Sequence, residues 1–101
     1  MGSEAQVFTA TCQPFPQALC ATVDALDDCE STNGLHPNTY NLDAENGGRW
    51  QINKATWERF FAINYGWSWS EIVLNDQRNL EAAFVIWQRA GGSFSPWSCA
   101  R

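Results

Sequence analysis

Four cysteines, at positions 12, 20, 29 and 99, constrain this chain more than any other feature. The chain has 101 residues, enough for one domain with a modest core, and chains this short often need covalent staples. An even cysteine count in so short a chain reads as a disulfide framework and hence an oxidising compartment. Zinc is the rival. No Cys-x-x-Cys pair occurs and His36 is the single histidine, so no metal site is expected. Cys20 and Cys29 fall on one expected helix, about 13 Å apart, too far for a disulfide. Two connectivities remain. The preferred one joins Cys12 to Cys20, closing a small proline-bearing loop, and Cys29 to Cys99, tying the tail to the helix end.

The first helix is expected from about Pro16 to Ser31. Leu19, Val23 and Leu26 recur at i, i+4 and i+7. At about 100° per residue, Glu30 lies roughly 20° from Leu19, so it extends the apolar stripe. Asp24, Asp27 and Asp28 are expected on the outer side. Asn33-Gly34 should stop the helix. Leu35 to Ile52 has no helical period and is rich in turn formers, so a loop with at most a small β-hairpin is expected. Asn53 should cap a helix from Lys54 to about Ile63. Ser68-Trp-Ser-Glu71 matches a capping box. Asp76 should cap a long helix, Gln77 to about Ala90, apolar on most sides and therefore central. Gly91-Gly92 ends it, and a tail with Pro96, Trp97 and Cys99 returns to the body.

The composition is that of a globular protein, 45% hydrophobic and 17% charged. The net charge of -5 leaves no basic footprint for nucleic acid. No apolar run approaches a membrane span. Met1-Gly2-Ser3 reads as an expression scar. Residues 1–6 are set aside as scar and disordered N-terminus, leaving 7–101 as the domain.

Glu30 is the candidate catalytic residue. Apolar surroundings and the negative end of the helix dipole both favour its neutral carboxyl. A protonated carboxyl in an apolar cleft is the general acid of glycosidic cleavage. Asp43 and Glu45, in the polar excursion, are candidates for a second carboxylate that steers water. Aromatic faces stack on sugars, and Tyr40 and Trp50 lie in the excursion. Trp57 and Trp87 have core spacing, with Trp87 kept as a cleft candidate because it nears a helix end. His36 should be a solvated turn residue.

Several short stretches, in order, resemble the lysozyme-like transglycosylase superfamily. They are Cys29-Glu30-Ser31, then Gly48-Arg49-Trp50-Gln51-Ile52-Asn53, Thr56-Trp57, Asp76-Gln77-x-Asn79-Leu80-x-Ala82-Ala83, and the Gly91-Gly92 to Trp97-x-Cys99 tail. They look most like the catalytic domains of resuscitation-promoting factors and related actinobacterial or phage muralytic domains. The likeness runs from about Leu19 to Cys99. It implies a mainly α, lysozyme-like (α+β) fold with a short hairpin wall and two disulfides, Cys29–Cys99 among them. It implies cleavage of peptidoglycan glycan strands at the muramic acid–glucosamine β-1,4 bond, with Glu30 as the acid and Gln51 on the cleft wall. Arg49 and Trp50 depart from the small or aliphatic residues usual there. No cofactor is implied. The expected protein is a monomer, secreted or phage-borne, acting at the cell wall without nucleic acid or membrane partners. The alternatives are a non-catalytic peptidoglycan- or chitin-binding module, a lysozyme-like chitinase, and a disulfide-rich inhibitor or structural protein.

Overall fold

A computed structural model describes residues 12–100. The expected N-terminal scar segment, residues 1–6, and the ends of the expected domain, 7–11 and 101, lie outside the described residues. The fold is mainly helical. Helix α1 (Cys20–Ser31) is followed by a two-stranded antiparallel hairpin, β1 (Asn46–Gly47) and β2 (Ile52–Asn53). Helices α2 (Lys54–Tyr65), α3 (Trp69–Leu74) and α4 (Asp76–Arg89) complete the body. Short 3-10 turns stand at Gln17–Leu19 and Ser98–Ala100. Both disulfides are the preferred ones, Cys12–Cys20 and Cys29–Cys99.

Helix α1 is regular from Cys20, four residues after the expected start. The residues before it, which follow Pro14 and Pro16, form a single 3-10 turn closed by Leu19 N–H on the Pro16 carbonyl. Its stop begins at Thr32, which adopts the left-handed conformation (φ 54°) and bonds back to the Asp27 and Asp28 carbonyls. Asp27 corrects the sequence expectation: it is 4% exposed, not outward-facing. Arg49, supplied from the hairpin turn, makes a fork with both its carboxylate oxygens, at 3.1 and 2.5 Å. Such a pair offsets the cost of burying either charge. No periodicity within α1 could announce a partner twenty-two residues away.

Asn53 caps α2 as expected, its Oδ1 accepting the Thr56 N–H at 3.0 Å. The helix runs two residues past the expected Ile63 and ends on Gly66, φ 69°. At Ser68 half of the capping box forms: its hydroxyl accepts the Glu71 N–H, while the Glu71 side chain turns to Arg78. The cap of α4 is Asn75, not Asp76; Asn75 Oδ1 accepts the Arg78 N–H at 2.9 Å. Asp76 becomes the first helical residue, and its carboxylate bonds elsewhere.

Helix α4 is the central element, burying Leu80, Ala83 and Ile86 among others. Phe61, Ile52, Ile72, Val23 and Val73 fill the middle of the core. Asn79 sits among them, 0% exposed. Its Nδ2 donates to the Gly47 and Ile72 carbonyls, and its Oδ1 accepts the Trp50 N–H. One carboxamide thereby joins α4, α3 and the hairpin. A Cβ at Gly48, φ 81°, would overlap this carboxamide, so glycine is required where the hairpin crosses it.

Candidate active site

Glu30 stands in the last turn of α1, half-buried. Its Oε2 accepts the Cys99 N–H at 3.1 Å, one residue from the Cys29–Cys99 disulfide. The tail is therefore held to the helix end covalently and by this hydrogen bond. Glu30 lines a cleft of about 490 Å³. The hairpin supplies Asn46, Gln51, Ile52 and Asn53; the first turn of α2 supplies Thr56 and Trp57. Ile86 of α4 and the tail residues Pro96, Trp97 and Ser98 close the remaining side.

Each wall has a local cause. Gln51 takes a left-handed conformation, φ 50°, uncommon for a residue with a side chain. Its Nε2 donates to the Gly48 carbonyl at 2.9 Å, which closes the turn around itself. Trp97 is buried, and its indole N–H donates to the Trp50 carbonyl at 2.8 Å. That bond pins the tail against the hairpin. Trp57 is half-buried, packing edge-on against Phe60 while bordering the cleft.

Of the residues singled out in the sequence, the structure brings Glu30 and Gln51 together, and Trp57, expected in the core, borders the same cleft. The other candidates stand elsewhere. Asp43 and Glu45 are exposed loop residues outside this cleft. Trp50 is 7% exposed, with its indole N–H on the Val23 carbonyl, so it is a core residue. Trp87 packs with Phe15, Phe84 and Phe94, away from the cleft. Tyr40 faces a different cluster: its hydroxyl donates to Asp76 Oδ1 at 2.8 Å. Burial, then the Asp76 hydrogen bond and charge, push the phenol up to about 12. His36 is exposed in its turn, and its Nδ1 accepts the Asn38 N–H.

Sequence reasoning missed Asn46, Asn53, Thr56, Trp57 and Trp97 as cleft residues. A signal existed for Trp97: a tail bonded to Cys29 must pass beside Glu30. None existed for the asparagines, whose facing depends on hairpin register.

A second, ionic cluster lies around a cavity of about 190 Å³ bordered by Asp24, Asp27, Arg49 and Asp76. Arg49 approaches Asp76 at 3.6 Å in addition to its fork with Asp27. Hydrogen bonding to Asp27 raises the Arg49 pKa further above its ordinary range. Burial, then the Asp27 charge, raises that of Asp24. This cluster locks the turn that delivers Gln51 to the cleft. Among the described residues, no group of three or more His, Cys, Asp or Glu is arranged to hold a metal ion, and no helix is long and apolar enough to cross a membrane.

Compared with protein-family models, with curated proteins and with solved structures, the chain shows no match.

Proposed function

We propose that this protein cleaves peptidoglycan glycan strands at the muramic acid–glucosamine bond, with Glu30 as general acid, in a lysozyme-like manner. One observation carries the reading. Glu30 is the only charged residue among the described residues lining a cleft otherwise made of neutral amides, hydroxyls, two indoles and the apolar side chains of Ile52, Ile86 and Pro96. Such a lining suits an uncharged, hydroxyl-rich chain with apolar ring faces. The resemblance of the Cys29-Glu30-Ser31 and Gly48 to Asn53 stretches to muralytic domains supplies the substrate class, and the two disulfides fit a secreted protein.

With Asp43 and Glu45 outside the cleft, the reaction that needs one carboxyl group is the better fit. The Glu30 carboxyl gives its proton to the bridging glycosidic oxygen as the bond from C1 breaks. The muramic acid 6-hydroxyl oxygen then bonds to C1 and returns its proton to the Glu30 carboxylate. The product is a 1,6-anhydro sugar, and no water is consumed. The protein is then a lytic transglycosylase.

The test is digestion of purified peptidoglycan by wild type and Glu30→Gln, with products read by mass spectrometry. Anhydro-muropeptides are expected from wild type, with at least a hundredfold loss in the variant, the usual scale of general-acid catalysis. Reducing-end products would make the protein a hydrolase instead. One observation favours a second reading, a glycan-binding module without catalysis. The Glu30 Oε2 is already engaged by the Cys99 N–H, as a purely structural carboxylate would be. Strand binding without products from either protein would establish that reading.

A further inference from the structure

Most basic side chains among the described residues are committed to carboxylates. Arg49 pairs with Asp27 and Asp76, Lys54 with Glu58, and Arg78 with Glu71 and Glu81. Arg59 and Arg89 make no salt bridge among the described residues. Arg89 is the last residue of α4, three positions after Ile86, which lines the cleft. Residues three apart on a helix are neighbours on its surface, so Arg89 continues the face that Ile86 turns to the cleft. The Arg89 side chain is exposed, and its Cζ stands 4.6 Å from the centroid of the Phe60 ring. Phe60 in turn packs edge-on to Trp57 at 5.3 Å, and Trp57 is a cleft wall. One aromatic ring therefore separates this cation from the cleft. The negative end of the α4 dipole and the Phe60 face hold the charge in place without neutralising it.

The rest of the molecule gives that charge its meaning. The net charge of -5 repels an anionic ligand as a whole. Salt screens such repulsion beyond about 8 Å, so a cation at the edge of the cleft sets the local potential there. Inside the cleft no side chain can serve as a counter-ion for an acid, since Glu30 is its one charged group. We propose that Arg89 is a specificity-determining residue that takes a carboxylate of the glycan, so that strands bearing acidic substituents are preferred to uncharged ones. This rests on the glycan-cleaving reading of the same cleft. Muramic acid supplies the group in two forms, the carboxylate of its lactyl ether or those of a peptide joined to it. A polymer of N-acetylglucosamine supplies neither. Guanidinium and carboxylate meet through two parallel N–H bonds, a geometry that lysine cannot reproduce.

The experiment measures binding, so that it does not depend on turnover. Tryptophan fluorescence of Glu30→Gln protein, with Trp57 and Trp97 at the cleft, reports affinity for three tetrasaccharides. One is N-acetylglucosamine alone, one alternates it with muramic acid bearing free lactyl carboxylates, and one carries peptides on those groups. An acidic form is expected to bind about fivefold tighter or more than the uncharged one, and the form that gains identifies the carboxylate. Adding Arg89→Gln should bring the ratio within about twofold of one, while Arg89→Lys keeps part of it. Arg59→Gln removes an equal charge, about 160° round α2 from Trp57, and should leave the ratio unchanged. A ratio near one before any substitution at Arg89 would overturn the inference. So would a ratio that survives Arg89→Gln, as it must if Arg89 only stabilises the end of α4, or one that falls equally in Arg59→Gln. Each of these leaves the cleavage reading standing if wild type still releases muropeptides. Absence of binding to all three tetrasaccharides overturns the inference together with the glycan reading on which it rests.

Discussion

Single residues in this protein are placed by what their polar atoms can reach. Asp24 is the clearest unmet case: its Oδ2 is buried without a hydrogen-bond partner. Burial, and then the neighbouring Asp27 charge, raise its pKa above the ordinary 3.8, with Arg49 opposing. The folded state therefore holds this proton more tightly than the unfolded chain does. Ionising Asp24 costs stability as pH rises through its folded pKa, and the cost vanishes below about 3.8, where both states are protonated. Asp24→Asn should thus stabilise the protein at pH 7 and leave it unchanged at pH 3. Urea melts at the two pH values check this; an equal gain at both would assign the effect to packing instead. Glu30 is the opposite kind of residue. Its position on the apolar stripe was legible from spacing alone. Its bond to Cys99 was not, because that partner is sixty-nine residues away.

At the scale of elements, the hairpin is too short to hold itself. Two residues pair with two, and besides the bonds of Gln51 to Gly48 and of Asn53 to Asn46 it is fixed from outside. Asn79 reaches in from α4, and Asp27 of α1 holds Arg49. Replacing Asn79 with Leu would strand the Trp50 N–H and the Gly47 and Ile72 carbonyls in the core. The expected cost is about 3 kcal/mol, read from chemical denaturation. A loss under about 1 kcal/mol would mean that water replaces the carboxamide. Helices α1 and α2 could be read from their periods, and the Asn53 cap from its residue type. The shift of the α4 cap from Asp76 to Asn75 could not. Both side chains are able caps, and the choice is made by Tyr40 and Arg49, which engage the Asp76 carboxylate.

For the whole molecule, the two disulfides have different weights. Cys29–Cys99 spans 70 residues and Cys12–Cys20 spans 8. Chain entropy assigns about 4 kcal/mol to the first and about 2 kcal/mol to the second. The first also holds both sides of the cleft, since Glu30 and Ser98 flank its two cysteines. On the proposed glycan-cleaving reading, removing it by Cys29→Ser with Cys99→Ser should abolish muropeptide release even at temperatures where the variant stays folded. The Cys12→Ser, Cys20→Ser variant should lose stability and keep its activity. Equal activities in the two folded variants would show that the tail does not position Glu30.

The sequence by itself determined the helices, most of their ends, the central place of α4 and the position of Glu30 on an apolar stripe. All of these depend on relations within a few residues, where helical geometry turns spacing into facing. Only the tertiary structure decided which side chains share a cleft. It placed Trp57 and Trp97 beside Glu30, and left Tyr40, Trp50, Trp87, Asp43 and Glu45 outside. It also buried Asp27 against Arg49. Loop and tail residues have no period of their own, so their facing is set by partners distant in the chain, through Asn79, Arg49 and the Cys29–Cys99 bond.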